Sequence, residues 1–365
     1  MEAVFPEIQK QLGFGFMRLP MTGEQVDIRQ TTQMVDAFLA AGFNYFDTAH
    51  GYLGGQSEKA LKTCLTARYP RERYVLTNKL THYFFEKQED IRPLFRQQLE
   101  ACGVNYFDFY LMHAQSGERF EKYRRCRAYE TALELKAEGK IRHLGISFHD
   151  SPQVLDRILT EYPQIEVVQL QFNYLDYDDP KVRSFDCYEV CRNHGKPVFV
   201  MEPVKGGSLV NLPPQAQRIF DDLGGGSNAS YAIRYAAGFP GIRTVLSGMS
   251  TLEQVRENTA FMRNFQPLST QEQAAAAQVR GILRGQSLIP CTGCSYCTEV
   301  CPMEIPIPDL FARLNDKRRT GAADNAPMGG GKPDDCLRCG KCEEICPQQL
   351  HIRDLLQFVR DELEG

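Results

Sequence analysis

No stretch of this 365-residue chain stays apolar for the roughly 20 residues that a membrane-spanning helix needs. No basic excess is present either. The 42 Lys and Arg stand against 46 Asp and Glu, a formal net charge of −4, and that balance argues against a nucleic-acid partner, which usually meets a basic surface. The first ten residues carry Glu2, Pro6 and Glu7 instead of the apolar core of a secretory leader, so the disulfide framework of small secreted domains is not expected. These absences point to a cytoplasmic protein without a membrane span. Its 42% hydrophobic and 24% charged residues are ordinary for a globular chain, and its length allows one large domain plus a small one.

Cysteine is abundant, at 13 residues. Cys64, Cys102, Cys126, Cys187 and Cys191 are scattered, as in a reducing compartment. Cys187 and Cys191, four residues apart on one helix face, read as buried free thiols. The other eight form two copies of C-x2-C-x2-C-x3-C-P: Cys291, Cys294, Cys297, Cys301, Pro302 and Cys336, Cys339, Cys342, Cys346, Pro347. This is the spacing of two-cluster iron–sulfur proteins, in which three close thiolates grip one cube and the fourth cysteine ligates the other. Cys291, Cys294, Cys297 and Cys346 are therefore assigned to one [4Fe–4S] cluster, and Cys336, Cys339, Cys342 and Cys301 to a second. Zinc, with four ligands in a closed shell, would leave thiolates idle.

Upstream of these runs, short β-rich segments alternate with helical patterns. Strands are expected at 13–19, 44–47, 74–79, 107–113, 141–147, 167–171, 198–202 and 244–247. Helices are expected at 31–41, 57–65, 91–102, 127–138, 151–161, 181–193, 227–237 and 251–264. Ser151-Pro152 is a cap followed by proline at the first helical position, and Gly42 and Gly139 follow helix ends. Eight strands each followed by a helix is the count for a (β/α)8 TIM barrel; an open doubly wound sheet is the rival, because local alternation is the same in both. Residues 1–270 are read as the barrel domain and 271–365 as a small ferredoxin-like domain, with 271–289 a connecting helix. The insert between the cysteine runs ends in Ala326-Pro327-Met328-Gly329-Gly330-Gly331-Lys332-Pro333, a composition that suggests a flexible connector. Gly331-Lys332 lacks the remainder of a phosphate loop, and Gly13-Phe14-Gly15 has Arg18 where a dinucleotide fingerprint needs its third glycine.

Active sites of TIM barrels lie at the carboxyl ends of the strands. Asp47, Lys79 and His113 stand there, with Tyr52 in the loop after Asp47. Each has an ordinary explanation by itself: a helix cap, a surface charge, a satisfied core histidine. Together they suit proton delivery to a carbonyl oxygen. A tyrosine is a poor acid near neutrality; a neighbouring ammonium lowers its pKa, Asp47 would hold Lys79, and His113 would bond the substrate oxygen or tune Tyr52. The loops 81–90 and 114–125 are expected to set specificity, with Tyr83, Phe84 and Phe85 lining a pocket or packing beneath a loop, while His50 is expected at the solvent, with substrate contact as the alternative.

Asp47-Thr48-Ala49-His50-Gly51-Tyr52, followed by Gly55, Ser57 and Glu58, resembles the D-T-A-x-x-Y-x-x-G-x-S-E signature of the aldo-keto reductases. Thr77-Asn78-Lys79 and Leu111-Met112-His113 are similar to that family's lysine and histidine segments. Gly145–Asp150, Gln169–Tyr174, Met201–Pro203 and Leu246–Ser250 resemble the branch with a C-terminal ferredoxin-like domain. The resemblance implies a tetrad of Tyr52, Asp47, Lys79 and His113 with Tyr52 as general acid, and NAD(P)(H) lying across the barrel mouth. It also implies Ser147 and Gln169 at the carboxamide, and Glu257 and Asn258 near the adenine. Three departures are present. Met201 replaces an aromatic residue stacked on the nicotinamide, Phe148 replaces an asparagine, and Gly248 and Gln254 stand where NADPH-preferring members carry basic residues. Weak NADPH preference is expected, because an unpaired 2′-phosphate loses charge-assisted hydrogen bonds.

Nicotinamides transfer two electrons together and iron–sulfur clusters one at a time, so joining them calls for a converter such as a flavin. Three classes follow. The first is an iron–sulfur oxidoreductase acting on a small carbonyl-type substrate, with electrons from NAD(P)H, through the clusters, or both, and an external redox partner. The second is an NAD(P)H carbonyl reductase with structural clusters. The third is an electron-transfer or docking protein on an idle barrel.

Overall fold

The computed structural model describes residues 4–321 and 328–364. Ala326 and Pro327 of the glycine–proline connector lie outside the described residues. Eight strands form one closed, wholly parallel barrel: β1 Leu12–Gly15, β2 Tyr45–Asp47, β3 Val75–Leu80, β4 Phe107–Gln115, β5 Ile141–Phe148, β6 Val167–Gln171, β7 Val198–Met201 and β8 Ile242–Gly248. Each strand pairs with the next and β8 closes on β1, with Leu12 beside Val245 and Gly15 beside Gly248. Closure, which the alternation of elements left open, excludes the open-sheet rival. Branched and aromatic side chains bury both faces of the strands, as parallel strands require. Gly145 is needed where β5 crosses the interior, since a Cβ there would lie 2.6 Å from both Leu111 and Val167.

Several element boundaries differ from expectation, each for a local reason. β1 stops at Gly15, and an antiparallel pair, Met21–Thr22 with Gln25–Val26, turns back through Gly23 in the left-handed region. The helix expected from 181 begins at Ser184, because Asp179 caps the amides of Lys181 and Val182 and holds a turn ahead of it. The segment 114–125 is not a loop throughout: Ser116 caps the Arg119 amide and starts a helix over Gly117–Arg125. The connecting helix spans Thr270–Gly285 behind a Ser269/Glu272 capping box.

The amino end of the barrel is plugged by the N-terminal segment. Phe5 and Ile8 pack among Tyr45, Phe109 and Phe199, and Arg243 donates to the carbonyl oxygens of Val4, Phe5 and Ile8. His143 at the start of β5 is clasped by Glu7 at 2.8 Å and Glu166 at 2.9 Å.

Contacts divide the chain into two compact units, one formed by Met1–Pro203 with Ile233–Leu268, the other by Val204–Ala232 with Ser269–Gly365. The second unit has a small core. The helix Ile307–Thr320 buries Leu310, Phe311 and Leu314, and the helix Ile352–Glu364 buries Ile352, Leu356 and Val359 at helical spacing. Asn315 closes two hydrogen bonds of 2.8 Å with the backbone of Ile289, just ahead of the first cysteine run. Gly206 lies so close to that run that a Cβ would sit 2.3 Å from the Thr292 oxygen.

Candidate active site and cluster chambers

At the carboxyl end of the barrel β2 and β3 bring Asp47 and Lys79 together. Lys79 is wholly buried, and its Nζ donates to Asp47 Oδ1 at 2.6 Å and to the Thr48 oxygen at 2.8 Å. The same Nζ lies 3.4 Å from the Tyr52 hydroxyl. Tyr52 reaches this point because Leu53, Gly54 and Gly55 follow it in the left-handed region, two of the three being glycines that adopt it without a Cβ clash. Burial works against the charge on Lys79, but the Asp47 carboxylate and the Tyr52 oxygen outweigh it and hold its pKa above the ordinary value. Asp47 Oδ2 accepts from Gln169 Nε2 at 3.1 Å, which ties β6 into the site.

His113 stands on β4 with its ring edge-on to Tyr52, centroids 5.9 Å apart. Burial, and then the Lys79 ammonium, push its pKa well below the usual imidazole value, so the ring is neutral at physiological pH. Thr81 Oγ1 lies 2.7 Å from Nδ1 and fixes the ring. The site therefore holds one cation, one carboxylate, one phenol and one neutral imidazole within a buried wall. That set can orient a carbonyl oxygen and deliver a proton to it.

Sequence reasoning missed the residues that hold this set. Thr81 lies two residues beyond Lys79, where strand alternation returns a side chain to the same face. Asn78 Oδ1 accepts from the Lys79 amide and from Gln98, whose own carbonyl accepts from Tyr110. His50 is half-buried rather than solvated. Its Nδ1 lies 2.8 Å from Oε2 of Glu58, a buried carboxylate that also accepts from Asn78, and Phe84 packs edge-on against it at 4.7 Å. Tyr83 and Phe84 are exposed, whereas Phe85 is buried against Tyr123.

The nucleotide candidates are more dispersed. Ser147 and Gln169 are register partners on β5 and β6, and Ser147 Oγ accepts from the Ala114 amide at 2.7 Å. Gly248 ends β8, where a Cβ would meet the Arg18 side chain at 3.0 Å. On the helix Leu252–Arg263, Gln254 and Glu257 are exposed. Gln254 accepts from the Ser250 amide, while Asn258 is buried and donates to Ser247 Oγ at 3.1 Å.

In the second unit the eight paired-run cysteines fall into two chambers. Cys291, Cys294, Cys297 and Cys346 line one, and Cys301, Cys336, Cys339 and Cys342 line the other. Each chamber takes three cysteines from one run and one from the other. None of the 13 cysteines is in a disulfide. Four thiols gathered around each chamber are the ligand number of one [4Fe–4S] cube. Burial pushes the Cys342 thiol up to about 11 and raises Cys297 further; both must ionise to ligate, which metal binding drives. Cys64, Cys102, Cys126, Cys187 and Cys191 are buried.

A closed parallel barrel carries this set at its carboxyl end, the face where active sites of such barrels lie. Residues 11–280 match the model of the aldo/keto reductase family, and residues 290–350 match that of a 4Fe-4S dicluster domain. The chain belongs to the aldo/keto reductase family and carries a C-terminal 4Fe-4S dicluster domain; it is an oxidoreductase. It is 26% identical over 283 residues to the NADH-specific methylglyoxal reductase of Escherichia coli, covering 62% of this chain and 82% of that protein. It is 27% identical over 294 residues to L-galactose dehydrogenase of Arabidopsis thaliana, covering 74% and 90%. Among solved structures, an aldo-keto reductase from Klebsiella pneumoniae in complex with NADPH superposes with a TM-score of 0.61 at 20% identity, covering 75% of this chain and 95% of that one. That likeness shows the shared fold. No helix among the described residues is long and apolar enough to cross a membrane.

Proposed function

We propose that the barrel, residues 1–270, reduces a small carbonyl substrate with Tyr52 as proton donor, and that residues 271–365 hold two [4Fe–4S] clusters that pass electrons. The observation that carries the first part is the position of the Lys79 ammonium, 2.6 Å from Asp47 and 3.4 Å from the Tyr52 hydroxyl. A buried cation at that distance stabilises the phenolate that remains once the proton has left. His113, neutral and oriented by Thr81, donates to the carbonyl oxygen and places it against Tyr52. Asp47 and the Thr48 oxygen keep Lys79 from moving toward the substrate. Bound in the mouth against Ser147, Gln169, Gly248, Gln254, Glu257 and Asn258, a nicotinamide supplies the hydride. Support for that cofactor comes from the NADH-specific relative and the NADPH-bound neighbour.

Cys291, Cys294, Cys297 and Cys346 hold the first cluster and Cys336, Cys339, Cys342 and Cys301 the second, supported by the two chambers. When bound, the clusters supply single-electron chemistry. A flavin is one group able to join that chemistry to hydride transfer, and the visible spectrum of the protein purified without oxygen tests for it. A structural role for the clusters is a second reading, favoured by the presence of Cys297 and Cys342 within the unit's small core. EPR during turnover separates the two: clusters reduced by NADH or cycling with substrate support electron transfer, and clusters that stay oxidised throughout support the structural role.

Tyr52→Phe should lower kcat for aldehyde reduction by about 10²–10⁴-fold while iron content stays at the wild-type level. Unchanged kcat removes Tyr52 from the mechanism. With Gly248 and Gln254 in place of basic side chains, titrations with NADH and NADPH should give comparable affinities; a clear NADPH bias contradicts this.

A further inference from the structure

The two cysteine chambers differ in their exposure. No residue lining the first is exposed. The second is lined in part by Pro302, Leu337, Cys339 and Lys341, all exposed, with Leu337 at 66%. Leu337 stands between two of the second chamber's cysteines, and Cys339 is the single exposed cysteine among all 13. The lining charges differ as well. The first chamber has none, and the second has Lys341 and Arg353, both cations. Arg353 is neutralised by Glu343 at 2.7 Å, whereas Lys341 makes no ion pair among the described residues.

An isolated exposed leucine needs no explanation. Here it is joined to an exposed prospective ligand and an unneutralised lysine on one rim, which is the make-up of a small docking face with an apolar centre and a charged edge. We propose that the second cluster is this protein's electron port, and that the Pro302–Leu337–Cys339–Lys341 face docks an acidic one-electron carrier protein. The proposal rests on the reading that the clusters pass electrons. The step is a transfer of one electron: the carrier is oxidised by one, and the second cluster goes from [4Fe–4S]2+ to [4Fe–4S]1+. No bond is made or broken and no proton moves. Leu337 excludes water at the contact, and Lys341 draws the acidic carrier in, so the association rate falls with salt.

The test uses the cluster-loaded full chain without oxygen, in stopped-flow mixing with a reduced, acidic plant-type [2Fe–2S] ferredoxin. Reduced methyl viologen, too small to need a docking face, is the reference reductant. In Leu337→Glu and in Lys341→Glu the ratio of the ferredoxin rate to the viologen rate should fall at least tenfold. Iron content and EPR spectrum should stay those of the wild type, and Lys341→Arg should keep the ratio. A ratio within twofold of wild type in both acidic variants overturns the proposal, whether the two rates hold or fall together. Failure of the wild type to oxidise the ferredoxin overturns it as well. Failure of viologen to reduce either cluster instead defeats the underlying reading that the clusters are redox-active, a result distinct from the loss of the docking face alone.

Discussion

The barrel mouth and the cluster unit both gather polar, reactive groups inside apolar walls, but they are held in opposite ways. At the mouth every group is positioned by another protein group. Lys79 is fixed by Asp47 and Thr48, Asp47 by Gln169, and His113 by Thr81. Around them lies the core of a complete barrel. In the cluster unit the chambers are lined by cysteines among mostly apolar side chains, with Lys341 and Arg353 at the second, and two of those cysteines belong to the unit's core. The first site is organised before anything binds, because its charges pay for their burial with each other. The second depends on what the thiolates hold, since four thiols around a void offer one another almost no attraction.

Breaking each half should therefore give different failures. The largest effect is expected from Cys297→Ser, which removes a core thiol from the first chamber. It should cost about half of the iron and, because metal binding supplies folding free energy, the hydrogen-exchange protection of the cluster unit, while the barrel amides stay protected. Equal loss of protection in both regions erases the contrast. Next in size is Lys79→Met, which leaves the buried Asp47 carboxylate without its cation. A drop in barrel stability of about 3–5 kcal/mol, read by denaturant unfolding, should accompany the loss of carbonyl reduction, with both clusters retained. A change below about 1 kcal/mol would show that Asp47 finds another partner.

The smallest effect concerns the amino end of the barrel, where His143 sits between Glu7 and Glu166. Burial works against its charge, but the two carboxylates outweigh it and raise its pKa from 6.5 to about 9. The carboxylates shift the other way, Glu7 downward and Glu166 to about 2, with Arg142 and Lys136 also facing them. A histidine with a raised folded pKa stabilises fully below its unfolded value and loses that contribution as pH rises through the folded one. The clasp should contribute about 1–2 kcal/mol below pH 6.5, after allowance for partial exposure, and fade as pH rises through about 9. Thermal unfolding of wild type and His143→Phe should converge between those limits; parallel curves would remove His143 from the pH dependence.

How much of this was legible in the sequence depends on the range of each interaction. The grouping of cysteines followed from spacing within two short runs. The positions of Asp47, Lys79 and His113 followed from the ends of alternating strands, and that of Tyr52 from the loop after Asp47. The helix over Gly117–Arg125 was legible in principle from Ser116 as a cap. Gln169 reaches Asp47 across 122 residues and Gln98 reaches Asn78 across 20, and no local pattern marks either contact. His50 looked solvated because nothing nearby in sequence reveals that Glu58, eight residues on, is buried and lies 2.8 Å from its ring.

The sequence by itself determined the chemistry. Two repeated cysteine runs and the set Asp47, Tyr52, Lys79 and His113 specify which reactive atoms are available, since spacing and strand-end position are local properties of the chain. Tertiary structure alone decided how those atoms are poised. Barrel closure buried Lys79 against Asp47 and made His113 neutral, because desolvation and charge pairing arise only when distant strands meet. The packing of the second unit left every residue lining one cysteine chamber at least partly covered, and Leu337 and Cys339 of the other exposed, because exposure is set by what covers a residue and not by its neighbours in the chain.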